Sequence, residues 1–270
     1  LAFILSCLPF LSYGQDAYTL KFLPQVHQSQ WSNASNQTDA KISIGLPVIS
    51  GTSFSFYNSG FTYHELFHKI DENTTSIRPG EFIDRLKDKN LINIGANISI
   101  ISVNVALPDF SVGFSVNDKI DMRFNYPKDL FKFFWYGNGA YIGKTLDIGS
   151  FALNASWYRE YALHGTKNYK KWTFGASPKL LFGKVNINTR ESSLKITTAE
   201  DFYAISANTK MNVETSGFSD STDKALGNDG IDAVGSKNMG FGIDLGAKYQ
   251  VNDQIAISAG VNNLGSIKWN

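Results

Sequence analysis

Met239-Gly-Phe-Gly-Ile-Asp-Leu-Gly-Ala-Lys-Tyr249 is the stretch that decides how the chain folds. Met239, Phe241, Ile243, Leu245, Ala247 and Tyr249 fall on one side of an extended backbone. Gly240, Gly242, Asp244, Gly246 and Lys248 fall on the other. Period-two alternation marks a strand whose two faces meet different surroundings. The next segment repeats the design, with Ile255, Ile257, Ala259 and Val261 against Ser258, Gly260 and Asn262. Asn252-Asp253-Gln254 lies between the two, which predicts a tight-turned hairpin.

The same pattern runs upstream. Ile42, Ile44, Leu46 and Val48 alternate with Lys41, Ser43 and Gly45. So do Phe110 to Val116, Ile120 to Tyr126 and Phe151 to Trp157, while further strands are expected over Ile92 to Leu107, Trp172 to Asn188 and Phe202 to Val213. The Ile100-Ile101 pair breaks phase, which predicts a bulge. Two helices are expected over Thr62 to Ile70 and Pro79 to Lys89, with a third short one over Pro127 to Phe134. Thr215 to Asn238, rich in Gly, Ser and Asp, reads as a loop.

Composition narrows the class. The 270 residues carry 20 Phe, 12 Tyr and 5 Trp, but only 18% are charged, against about 25% in average soluble domains. A net charge of +1 supplies no strong field for nucleic acid. Overall hydropathy is mildly polar, which excludes a bundle of membrane-spanning helices. An outer-membrane β-barrel has this mixture, because only alternate strand residues face lipid. The expected class is therefore all-β: an antiparallel transmembrane β-barrel with short helical connectors. A soluble β-sandwich also alternates, with its apolar side inward. Against it stand strands near the roughly 9–11 residues that cross a bilayer, and aromatic clusters at Trp157-Tyr158, Tyr249 and Phe133-Phe134-Trp135-Tyr136, as in interfacial girdles.

The N-terminal run Leu1 to Leu11 is too short for a spanning helix and fits the apolar region of an export signal. Ser12 and Gly14 fit a cleavage site, so residues 1–14 are expected to be a signal peptide, with the barrel domain over 15–270 and the mature chain in the outer membrane. The initiator Met and basic leader are missing, so this end reads as truncated. Cys7, the single cysteine, is removed with the signal, leaving no disulfide or cysteine metal site.

His64-Glu65-Leu66-Phe67-His68 matches the H-E-x-x-H zinc pattern. Histidines four apart share a helix face and can hold zinc, with Glu65 as base. The extended pattern is missing: Asp71 and Thr74 stand where Gly and a third His belong. The favoured reading is an amphipathic connector, with no catalytic, cofactor or metal role. Asp121, Arg123, Asn154, Asp244 and Lys248 fall on predicted inward faces, as pore lining or as ion pairs stiffening the wall.

Six segments follow one another in a set order: Ile42-Ser-Ile-Gly-Leu-Pro47, Asn58-Ser-Gly-Phe-Thr-Tyr63 with Leu66-Phe67, Tyr126-Pro-Lys-Asp-Leu-Phe131, the Gly137-Asn138-Gly139 turn, Gly242 to Tyr249, and Val261-Asn-Asn-Leu-Gly-Ser-Ile-Lys-Trp269. Taken in that order they resemble a barrel family common in Bacteroidota, domain of unknown function 5723. The chain is also distantly similar to fatty-acid-transporter-type barrels and the shuttle barrel of type IX secretion. That resemblance implies about fourteen strands, a count belonging to those relatives, and further strands after Trp269. It also implies two candidate roles, a channel or transporter for small or hydrophobic solutes and a component of secretion or gliding machinery; the zinc protease rests on the His64-Glu65-x-x-His68 pattern alone and is the weakest role, because the resemblance places that pattern in a connector. Outer-membrane lipid, a small hydrophobic ligand and secretion proteins are the expected partners, and nucleic acid is not.

Overall fold

The alternation becomes a ladder of long antiparallel strands in the computed structural model, which describes residues 23, 26–38, 40–62, 65, 67–69, 75–217 and 238–270. In chain order the strands are β1 (Ile42–Gly45), β2 (Thr52–Asn58), β3 (Phe67–Lys69), β4 (Thr75–Ile77), β5 (Lys89–Ala106), β6 (Phe110–Pro127), β7 (Thr145–Asp147), β8 (Ala152–Tyr169), β9 (Trp172–Thr198), β10 (Ile205–Ser216), β11 (Met239–Gln250) and β12 (Ala256–Ile267). Helices α1 (Pro79–Arg85) and α2 (Lys128–Tyr136) lie between strands, and a 3-10 turn covers His27–Trp31.

Ten strands make one sheet, in the order β1-β5-β6-β8-β9-β11-β12, with β2 on β5 and both β7 and β10 on β9. β1 and β2 line up end to end along one edge of β5, facing residues 102–105 and 92–98. β10 and β11 share β9 in the same way. Among the described residues β12 pairs only with β11, so the sheet is not closed by hydrogen bonds. The all-β, antiparallel expectation holds, and the closure of a barrel is not seen.

The sheet is nevertheless strongly curled. Seven strands laid flat would span about 29 Å. Yet the single turn His27–Trp31 reaches both edges. Gln28 Nε2 donates to the Ser50 carbonyl beside β2, and Asn262 Nδ2 of β12 donates to the Trp31 and Ser32 carbonyls at 3.2 and 2.8 Å. Lys119 Nζ of β6 likewise meets Asn263 Oδ1 of β12 at 3.3 Å, across three intervening strands. The result is a trough with an inner and an outer face.

The two faces invert the usual burial. Ser102, Asn104, Ser111, Ser115, Asn117, Glu160, His164, Ser177, Lys179 and Asp244 are buried on the inner face. Phe54, Phe56, Val112, Leu163, Phe174, Phe241 and Val261 are exposed on the outer one. A soluble sandwich hides its apolar side, so this polarity is opposite to that of the competing architecture. A small conventional core lies where α1 and α2 cover the outer face, with Phe82, Ile83 and Leu86 against Tyr126, Ile92 and Phe124. No helix among the described residues is long and apolar enough to cross a membrane.

Several expected elements shift. Phe110 to Val116 and Ile120 to Tyr126 keep one phase and form a single strand, β6. The bulge falls where expected, since β5 steps from Ser99 to Ile101 against consecutive β6 residues. The helix expected over Thr62 to Ile70 is not formed through its second half: Phe67–Lys69 pairs with Thr75–Ile77 as a hairpin. The apolar spacing there serves strand pairing instead. The helix expected from Pro79 ends at Arg85, because Lys89 already begins β5. Phe202 and Tyr203 adopt left-handed φ of 61° and 53° in the turn before β10, so that strand starts at Ile205. Thr215 and Ser216 close β10, while the rest of the expected loop, residues 218–237, lies outside the described residues. So does the expected signal peptide, with Cys7.

Pairing also sorts the connections. The turns β5–β6, β8–β9 and β11–β12 all lie at one end, closing on Ala106–Ser111, Tyr169–Trp172 and Gln250–Ala256 pairs. The long connections 59–88 and 128–151, which carry both helices, lie at the other.

Candidate functional site: the filled inner face

The inner face is held by charge at its centre. Inward positions on four adjacent strands place Lys119 (β6), Glu160 (β8), Lys179 (β9) and Asp244 (β11) side by side. Glu160 Oε2 lies 3.1 Å from both lysines, and Lys179 Nζ lies 2.6 Å from Asp244 Oδ2. Asn263 Oδ1 accepts from both lysines, and its backbone N–H donates to Asp244 Oδ1 at 2.6 Å. Glu160, Lys179 and Asp244 are 2%, 5% and 3% exposed, so the pairing is what makes their burial tolerable. Beside this ladder Tyr158, Leu181, Ser266 and Trp269 enclose a cavity of about 210 Å3 that Glu160 and Lys179 also line.

Nearer the tight-turn end, His164 ties two strands together. Its Nε2 meets Ser115 Oγ at 2.8 Å and its Nδ1 meets Ser177 Oγ at 2.9 Å. A serine hydroxyl on an imidazole is half of a nucleophilic pair. Here the second ring nitrogen meets another hydroxyl instead of a carboxylate, and the His27 ring covers the group edge-on at 5.9 Å. The arrangement is a buried polar layer, with His164, Ser115 and Ser177 6%, 0% and 1% exposed.

Residues 26–38 fill the trough above that layer. Asn33 folds its own turn, accepting from Ser35 N–H at 2.9 Å, and donates to the Ala259 carbonyl of β12. Gln37 donates to Thr166 Oγ1 at 2.6 Å. At Gly175 and Gly246 any side chain would run into Ala34 and Asn33, so glycine is required for this close approach. Ser29, Gln30, Ala34 and Ser35 are essentially inaccessible to solvent.

The five residues predicted to face inward share this face. Asp244 is in the ladder. Asp121 and Arg123 lie farther along β6, and Arg123 stands directly opposite Asn154, whose Oδ1 accepts from Thr189 N–H at 3.0 Å. Lys248 lies near the tight turns, opposite Ser258. Lys119, Glu160, His164 and Lys179 were missed in the sequence, although each sits at an inward position of the same alternation. The zinc pattern loses its frame: His68 is in strand β3, so the single helix face it needed is not formed. Glu65 accepts from Thr62 N–H at 2.7 Å, which with the Thr62 hydroxyl and nearby Arg85 holds its carboxyl below the usual range. His64 lies outside the described residues. Among the described residues no group of three or more metal-ligating side chains occurs.

Arg159 and Asp118 form a charged pair on the outer face. Arg159 Nε and Nη2 donate to the two carboxylate oxygens of Asp118 at 2.7 and 2.8 Å, between Ile120 and Val116 along β6.

A curled antiparallel sheet, polar and filled within and apolar without, is the class these observations define. Residues 35–270 match the model of the Family of unknown function (DUF5723), and the chain belongs to that family. No curated protein and no solved structure was found to match it.

Proposed function

We propose that the chain forms the wall of an outer-membrane β-barrel that passes a small solute when residues 26–38 leave the inner face. The inverted polarity carries this reading: exposed Phe, Leu and Val outside, buried Ser, Asn, Glu and Lys inside. Lipid is the solvent that makes such an outer face favourable. In outer-membrane barrels the short turns are periplasmic and the long loops extracellular. That rule puts the tight turns at Leu107–Asp109, Lys170–Lys171 and Asn252–Gln254 on the periplasmic side. It also puts the entry of residues 26–38 there, since Lys41 precedes β1 at that end.

The inner segment then acts as a plug, and the Lys119–Glu160–Lys179–Asp244 ladder acts as a rigid polar lining that exposes no unpaired charge. The experiment is conductance in planar bilayers with full-length protein. The intact protein is expected to be nearly silent, and a variant lacking residues 27–38 is expected to conduct. Two silent proteins would sink the channel reading.

A second reading, a scaffold for secretion or gliding machinery, draws on the ribbon formed by β10 and the second half of β9. It is solvent-exposed and pinned by Arg190–Glu214 and Lys210–Glu191 pairs at 2.7 and 2.8 Å. Recovery of secretion components with the intact protein, and their loss when this ribbon is shortened, is its test.

A further inference from the structure

We propose that the outer face holds one anionic phospholipid of the periplasmic leaflet, its acyl chain lying in a groove across five strands; this rests on the membrane reading above. Register builds the groove from two adjacent rows. One runs Val112, Gly165, Ala176, Leu245, Val261, and the next Phe110, Lys167, Phe174, Ala247, Ala259. Small residues make the floor, and Phe110, Phe174 and Leu245 rise as walls around a volume of about 800 Å3. Four strand spacings give it a length of about 19 Å. It is long, narrow and apolar, which fits an extended hydrocarbon chain better than a second sheet face.

The headgroup is assigned by charge. Lys167 lies in the groove, exposed, and no carboxylate pairs with it among the described residues. Lys170 and Lys171 occupy the turn just below, and Asp109, whose carbonyl accepts from Asn168 N–H at 2.8 Å, lies in the neighbouring one. Tyr169, Trp172 and Tyr249 surround that turn, with Trp172 and Tyr249 rings 4.7 Å apart. Aromatic residues of this kind sit at headgroup level. A phosphate there meets two or three ammonium groups while its chain runs up the groove.

The wall is thin at this place for a reason inside the trough. Gly175 and Gly246 lie on the strands that carry Ala176 and Ala247, and the backbone and Asn33 side chain of the inner segment press against them. Lipid and inner segment would thus grip opposite sides of the same strands.

The test uses the full chain in phosphatidylcholine vesicles doped with phosphatidylglycerol bearing a photoactivatable diazirine in its acyl chain. Adducts are mapped by mass spectrometry. Fractionation of cells comes first: a protein absent from the outer membrane overturns the membrane reading and the lipid site with it. In an inserted protein, adducts are expected to concentrate on peptides containing Val112, Phe174 and Val261. Filling the groove with Ala247→Leu should lower them about tenfold, the equivalent of one factor of ten in affinity. Ala259→Leu does the same from the neighbouring strand should the first variant not assemble. Lys167→Gln should abolish the preference for phosphatidylglycerol over a phosphatidylcholine probe, and Leu163→Ala should change nothing. Adducts spread evenly over the outer face, and unchanged by either leucine, would overturn the site in a protein that has inserted.

Discussion

Lys179 touches two carboxylates at once, 3.1 Å from Glu160 and 2.6 Å from Asp244, and is buried with both of them. Removing one member of a buried ion pair leaves the others uncompensated, at a cost of about 3–5 kcal/mol. Lys179→Met should therefore lower the urea midpoint of unfolding sharply. Restoring neutrality with Glu160→Gln as well should recover part of that loss, so the double variant unfolds later than the sum of the single ones predicts. A purely additive result would mean the ladder is not a unit. The outer pair gives a separate reading of the surroundings. Asp118→Ala strands Arg159 on the apolar face, which in lipid costs about 2–4 kcal/mol at mid-depth. In water the same change costs under about 1 kcal/mol. Refolding into vesicles, followed by the urea midpoint, decides between these two magnitudes.

At the scale of the element, residues 26–38 are held by hydrogen bonds, close backbone approach and one buried imidazole. Among the described residues neither His27 ring nitrogen has a hydrogen-bond partner, and burial holds its pKa below the ordinary 6.5. A detached segment takes up a proton near pH 6.5, whereas the packed one resists until more acid conditions. The packed state is thus fully favoured above that value and loses the advantage as pH falls through it. His164 and the His27 ring face one another, so charging either also opposes the other. Backbone amides of residues 27–35 should lose hydrogen-exchange protection between pH 7 and pH 5, a window set by the ordinary imidazole value, while those of β8 keep theirs. His27→Phe should weaken the dependence, leaving the share that His164 contributes. Gly246→Val should expel the segment at every pH, because a side chain there occupies the place of Asn33, and limited proteolysis would then cut within 27–38.

At the scale of the whole molecule, orientation follows from which connections share an end. Asp253→Cys lies in a tight turn and Asp201→Cys in the turn at the far tip of β9–β10. A membrane-impermeant maleimide on intact cells should label the second and spare the first until the outer membrane is opened. The reverse pattern would invert the topology. The strands and their two faces were legible in the sequence, because alternation is local: each side chain's face follows from its position alone, as in Met239 to Tyr249. The Ile100-Ile101 bulge was legible for the same reason. Helical spacing over Thr62 to Ile70 misled, because a few apolar residues at that spacing fit either element, and β4 supplied a partner that no local rule could foresee. The ladder was half legible. Asp244 stood out beside glycines in a clear strand, but Lys119, Glu160 and Lys179 become neighbours only through the pairing of β6, β8, β9 and β11. By itself, then, the sequence determined period, polarity and family. Only the tertiary structure decided the curl, the buried charge ladder, the segment that fills the trough and the end where the turns gather. These depend on strand register, which joins residues far apart in the chain.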